Sequence, residues 1–145
     1  NTSTRFLRPT QDTTLTVPST ASKVITVGAY NSFYNSYADF SGRGFTRLTN
    51  QIKPDLAAPG VNITAPAANG GYQSVTGTSF ATPVASGAAA LLMQWGIVNG
   101  NDPFLYGEKV KAYLRRGARK LPGISEYPNP MVGYGTLCVR DSLPE

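Results

Sequence analysis

The chain has no histidine and only one cysteine in 145 residues. Without a second cysteine no disulfide can close within it. Without histidine it lacks the usual nitrogen ligand of a zinc site and the side chain that most often serves as general base near neutral pH. Charge is scarce as well: charged residues make up 14% against 41% apolar, a balance that excludes a solvated, disordered tail. Glycine (15) and proline (11) are plentiful instead, which suits one compact, loop-rich domain able to bury a core.

The net charge is +5, and six of the basic residues crowd together as Lys109, Lys111, Arg115, Arg116, Arg119 and Lys120. No nucleic-acid recognition motif accompanies them. They read as a solvated helix face whose C-terminal cations offset the dipole before Gly117, so no nucleic-acid partner is expected. Asn1–Thr4 is polar and no cleavage pattern follows, so no secretory leader is read there. The longest apolar stretch, Phe80–Val98, approaches bilayer length. It contains Thr82, Pro83, Ser86 and Gln94, which fits a helix buried in protein, and no membrane partner is expected.

Along the chain, Thr4–Val17 alternates loosely. The β-branched run Lys23–Tyr30 reads as a buried parallel strand. Asn31–Asn50, rich in Asn, Ser, Gly and Tyr, reads as surface loop with a short strand at most, and the two prolines of Ile52–Pro59 favour extended or turn structure. A short strand is expected over Gly60–Ala65, and Tyr72–Thr76 leads into a helix over Phe80–Trp95. A second helix is expected over Phe104–Arg116, opened by Asp102-Pro103 as cap and first residue. A closing strand is expected over Gly133–Val139.

Residues 77–90, GTSFATPVASGAAA, carry the chemistry. Gly77 permits a sharp turn, and Ser79 then stands at the positive end of a helix whose first N–H groups lack intrahelical partners. That is a place to stabilise an oxyanion, and so a place for a nucleophile. The same position also suits a plain helix cap. Ala81 stands where the G-x-S-x-G elbow of the α/β-hydrolases has its second glycine, so that motif is excluded. Gly42-Arg43-Gly44 lacks the third glycine of a dinucleotide fingerprint.

Gly77-Thr78-Ser79-Phe80-Ala81-Thr82-Pro83 resembles the serine signature of the subtilisin-like proteases, G-T-S-x-A-x-P. Val24–Ala29 resembles their V-I-x-V-G-A strand, Phe40-Ser41 their F-S turn, Lys53–Gly60 their K-P-D-[LV]-x-A-P-G segment, and Gly133-Tyr134-Gly135 their closing G-x-G. The wording of PSTASKVITVGAYN and FSGRGFTR is most similar to clostridial subtilases, which include the germination proteases of spores. Some of those carry a β-rich domain inserted upstream of the serine segment.

The resemblance implies an α/β, three-layer fold with a mostly parallel sheet, residues 1–145 being the C-terminal part of the catalytic domain and 1–22 the return from an upstream or inserted element. It implies a serine endopeptidase working through an acyl-enzyme on Ser79, with peptide or protein as substrate. The triad His and Asp and the second oxyanion donor, an asparagine in a G-N pair, would come from the preceding part of the same domain, since no G-N pair precedes Lys23. A catalytically dead relative acting as a binding module is the alternative reading. Asp12, Asp39 and Asp55 have no claim as substitute triad members beyond charge, Asp55 being a turn former in its segment. Thr16, Val17 and Pro18 would line the pocket for the residue before the scissile bond. The carbonyls of Ser19, Ala21 and Val24 match a weak cation site of some relatives, although no cofactor is required. The segment alone would be inactive and could self-associate through an open sheet edge; an extracytoplasmic or spore-associated location follows from the family.

Overall fold

The computed structural model describes residues 5–144; the polar opening Asn1–Thr4 lies outside them. Strands β1 (Val27–Asn31), β2 (Ser36–Tyr37) and β3 (Leu56–Pro59) form one sheet in the order β2-β1-β3. β1 and β3 run parallel, with Val27 opposite Leu56 and Tyr30 opposite Pro59, while β2 is antiparallel to the end of β1. Strands β4 (Ile63–Pro66) and β5 (Tyr72–Val75) make a separate antiparallel ribbon. Helix α1 spans Thr78–Met93 and continues as a π-helical turn over Gln94–Val98; α2 (Gly107–Arg116) and α3 (Val139–Ser142) follow.

Helices cover one face of the sheet. Leu56 and Val27 pack there against Ala88 and Leu92 of α1 and Val110 and Leu114 of α2. Ala29, Ala58 and Ala81 meet nearer the start of α1. The opposite face, through Ala57, is covered by irregular chain bearing Leu121, Met131 and Val132. Between these layers the residues of β3 are almost completely buried, which matches their alanine- and leucine-rich sequence.

Several boundaries differ from expectation. The strand read over Lys23–Tyr30 begins at Val27; before it, the Val24 carbonyl is taken by two lysines and makes no ladder bond. Ile52–Pro59 contains a true strand: Pro54 precedes it and Pro59 ends it, so neither proline interrupts the ladder. The second helix starts at Gly107, not at Phe104, with Tyr106 as its cap residue. Asp102 does not cap it; its carboxylate binds Lys109 Nζ at 2.6 Å and the Tyr113 hydroxyl at 3.0 Å. The closing strand over Gly133–Val139 is reduced to isolated bridges, Thr136 parallel to Ala57 and antiparallel to Arg119, and Gly133 antiparallel to Asn129, and Val139 opens α3. Thr4–Val17 forms no strand in its described part; Thr14 N–H is bonded to the Arg43 carbonyl at 2.9 Å.

The largest departure concerns α1. Its sequence fits a helix buried in protein, but only Ala81, Ala85, Ala88 and Leu92 are buried. Leu91, Met93, Ile97 and Val98 are 53%, 46%, 43% and 77% exposed. By length and composition Thr78–Val98 could cross a membrane; here one side packs on the sheet, and the other, bearing Thr82 and Ser86, is uncovered.

Candidate functional site

Ser79 is placed by the C-terminal ends of two parallel strands. Gly60, just past β3, donates its N–H to the Tyr30 carbonyl of β1 (3.1 Å), and its own carbonyl accepts the Gly77 N–H (2.8 Å). A side chain at Gly60 would stand 2.7 Å from Ala29 Cβ and 3.3 Å from Ala81 Cβ, so only glycine lets strand and helix start approach this closely. Gly77 has φ 153° and ψ 160°, a region open essentially to glycine alone. From this corner the chain enters α1 at Thr78, and Ser79 is the second helical residue.

Gly77 is the cap residue, and no side chain caps the helix. The reading of Ser79 as a plain helix cap is therefore overturned. Its side chain is exposed, and neither its hydroxyl nor its N–H has a hydrogen-bond partner among the described residues. The first turn of α1 holds no acidic residue, so the positive end of the dipole is not neutralised locally. Helix geometry occupies neighbouring polar groups instead: the Thr82 hydroxyl donates to the Thr78 carbonyl at 3.0 Å and the Ser86 hydroxyl to the Thr82 carbonyl at 3.1 Å.

Ser79 lies on the wall of a cavity of about 690 Å³ that also contains Thr16, Pro18, Ser19, Val24, Asp39, Phe40, Thr78 and Thr82. Two of the three residues expected to shape a substrate pocket, Thr16 and Pro18, thus share a cavity with the serine. Val17 does not; it is 87% exposed and lines a neighbouring cavity with Phe45 and Leu48. The Phe40-Ser41 turn closes the corner from the other side, the Ser41 hydroxyl accepting the Ala29 N–H at 2.9 Å.

Two of the three carbonyls of the expected cation site, those of Val24 and Ser19, are engaged within the protein. The Val24 oxygen accepts from Lys53 Nζ at 2.9 Å and from Lys111 Nζ at 2.8 Å, which uses both of its lone pairs. The Ser19 oxygen accepts the Thr26 hydroxyl, and Ala21 is exposed. A metal ion does not fit against Val24: two ammonium groups stand where it would bind.

Those ammoniums belong to the most buried ionic cluster of the described residues. Asp55, 0% exposed, accepts the Thr26 N–H (2.7 Å) and Lys53 Nζ (2.8 Å) on one oxygen. Lys111 (3.1 Å) and Arg115 share the other. Burial alone would raise this carboxyl, but the hydrogen bonds from Lys53, Thr26 and Arg115 outweigh it and hold it below the ordinary value. Asp55 is therefore an anchor, away from the serine cavity. The reading of the basic cluster as solvated is correct only in part, because Lys109, Lys111, Arg115 and Arg119 pair with Asp102, Asp55, Asp55 and Asp141. The sequence did not disclose this cluster. Its one available signal was a carboxylate inside an apolar segment, which had to be paired with something.

Comparison with known proteins agrees with this geometry. The subtilase family (Peptidase S8) matches residues 1–135. Serine protease AprX of Bacillus subtilis is 34% identical over 90% of this chain and 32% of its own length. Membrane-bound transcription factor site-1 protease of Mus musculus is 33% identical over 86% of this chain and 12% of its own. The structure of the Clostridium perfringens CspB protease superposes with a TM-score of 0.90 at 48% identity, over 96% of this chain and 29% of that one. That of the prenylagaramide maturation protease PagA does so with a TM-score of 0.74 at 32% identity, over 91% and 46%. The chain thus spans a third or less of the length of these curated relatives. With the serine signature at a helix start, the parallel strands that hold it and the matched pattern over residues 1–135 in agreement, the chain belongs to the subtilase family.

Proposed function

We propose that this chain carries the nucleophile of a serine endopeptidase. Ser79 Oγ attacks the carbonyl carbon of a peptide and its proton passes to a histidine, oriented by an aspartate, on the preceding part of the same catalytic domain. The carbonyl oxygen becomes an oxyanion received by the Ser79 N–H and the field of the α1 N-terminus, with an asparagine of the preceding part as second donor. Collapse of the tetrahedral intermediate expels the amine with that proton and leaves the acyl-enzyme, which water then hydrolyses. Thr16 and Pro18 form part of the wall for the residue before the scissile bond. The observation that carries this reading is the exposed, uncapped hydroxyl of Ser79 at an open helix start, beside a cavity.

The uncovered side of α1, with Leu91, Met93, Ile97 and Val98 exposed, is the surface we assign to the rest of the domain. Without the histidine and aspartate of the preceding part the 145-residue chain alone would be inactive, and it would self-associate through its open sheet edge. Labelling with a fluorophosphonate separates the possibilities. The intact protein is expected to label rapidly at Ser79, the isolated chain at no more than a trace of that rate, and Ser79→Ala not at all. Equal rates for the isolated chain and the intact protein would refute the division of labour. No labelling of the intact protein would favour a pseudoprotease acting as a binding module.

A further inference from the structure

A cavity of about 680 Å³ lies between the segment 6–14 and the loop 45–50, and it shares Thr10 and Thr14 with the serine cavity. The cavity that holds Val17 and Leu48 adjoins both: it shares Thr16 with the serine cavity and Arg47 with the first. Arg8 and Arg47 line the first cavity, and both are exposed. Among the described residues neither pairs with a carboxylate. The acid on the same wall, Asp12, is already taken by Arg43 Nε at 3.1 Å. This wall therefore presents two uncompensated positive charges. The serine cavity has Asp39 on the side of the Phe40-Ser41 turn, so charge is polarised across Ser79. Backbone strain falls on the same wall: Thr13 has φ 59°, a left-handed conformation that β-branched residues rarely hold and that gathers at ligand sites.

Taking Ser79 as the nucleophile, we propose that the enzyme selects peptides with an aspartate or glutamate upstream of the scissile bond, its carboxylate received by Arg47 and Arg8. A guanidinium is the side chain best shaped for that group. The direction follows from Thr16, which belongs to the wall for the residue before the bond and shares a cavity with Arg47. Leu15 and Thr16 line the cavities on both sides of them, so this stretch stands between the serine and Arg47. The acid is accordingly placed more than one residue ahead of the bond, where the peptide has passed over that stretch.

The test digests a mixed peptide library with the full-length protein and reads the cleavage sites by mass spectrometry. Aspartate and glutamate are expected to be enriched over asparagine and glutamine upstream of the bond. The enrichment should shrink as sodium chloride rises from about 0.1 to 1 M, where the screening length falls from about 10 to 3 Å. One cleaved peptide is then remade with glutamine for its acid, and the ratio of the two kcat/KM values is measured. Arg47→Gln and Arg8→Gln should each lower that ratio about threefold, the scale of single exposed charge pairs. Lys120→Gln removes the same charge at an exposed position lining none of these cavities, and should leave the ratio as it is. Cleavage without acidic enrichment, or with the acid downstream of the bond, overturns the inference and leaves the nucleophile standing. An equal fall of the ratio in all three variants overturns it too, since net charge alone would then be the cause. Cleavage of no peptide at all overturns the reading of Ser79 and this inference with it.

Discussion

The two ends of strand β3 treat polar groups in opposite ways. At its N-terminal end Asp55 is completely buried and has four hydrogen-bonding or ionic partners. At its C-terminal end, four residues of strand away, Gly60 and Gly77 bring up an exposed serine whose hydroxyl has no partner among the described residues. The first arrangement is what a carboxylate needs to survive in a core, since an unpaired charge there is untenable. The second is what a nucleophile needs, because a hydroxyl already satisfied by the protein has nothing to offer a substrate. In open sheets with parallel strands, ligand sites gather at the carboxyl ends of the strands, and here the anchor at the other end fixes the strand that carries the site.

Exchanging the serine breaks the comparison at its functional end. Ser79→Ala in the full-length protein is expected to lower kcat by on the order of 10⁶. Stability should move by no more than about 0.5 kcal/mol, since the side chain is exposed and makes no hydrogen bond among the described residues. Peptide turnover and a denaturation midpoint together check this; a large loss of stability would mean that Ser79 is structural after all.

Asp55→Asn breaks the other end. It leaves Lys53, Lys111 and Arg115 facing one another without their shared carboxylate, and the expected loss is about 3–5 kcal/mol. Activity per folded molecule should survive in large part, because Asp55 is absent from the cavity that holds Ser79. Urea denaturation followed by active-site titration of the folded fraction distinguishes lost protein from lost chemistry.

What the sequence disclosed, and what it did not, follows the same division. The serine corner was legible because its requirements are local: a glycine turn, a hydroxyl and a helix start, all within residues 77–83. The anchor was not, because Lys111 and Arg115 approach Asp55 from 56 and 60 residues away along the chain, and only the topology of α2 against the sheet brings them there. Strand β3 was legible only as extended or turn structure, because the prolines at 54 and 59 left both open, and in the fold they bracket it. The one-sided burial of α1 was also hidden. Its only markers were the short polar side chains of Ser79, Thr82 and Ser86, which fall on the uncovered side but are too few among the alanines to make a clear stripe.

Gly60→Ala couples the two ends and so sharpens the comparison. Its new methyl group would meet Ala29 Cβ at 2.7 Å and the Gly77 carbonyl at 3.1 Å. Overpacking of this kind costs about 1–3 kcal/mol. The shift it forces at Gly77 propagates to Ser79, so kcat is expected to fall about 10–100-fold, as positional errors near 1 Å do. If stability falls while kcat per folded enzyme holds, the serine is not positioned through this corner.

The smallest effect expected is a dependence on pH, and it separates the partners of the anchor. Burial pushes the Lys111 ammonium down to about 8; Asp55 resists the shift and Lys53 adds to it. The unfolded chain releases that proton only near 10.4, so between these values the unfolded state binds more protons and stability rises with pH. From pH 7 to 9 the gain is about 1 kcal/mol. Asp55 acts at the opposite limit: its carboxyl is held below the ordinary value, so its contribution is present above the ordinary carboxylate range and is lost as pH falls through the lowered one. Lys111→Met should abolish the alkaline rise and keep the acid loss, as read from urea midpoints across pH. A protein whose stability declines steadily from pH 7 to 9 would show that the third cation is welcome around Asp55, and the excess of charge at the anchor would then be no burden to the fold.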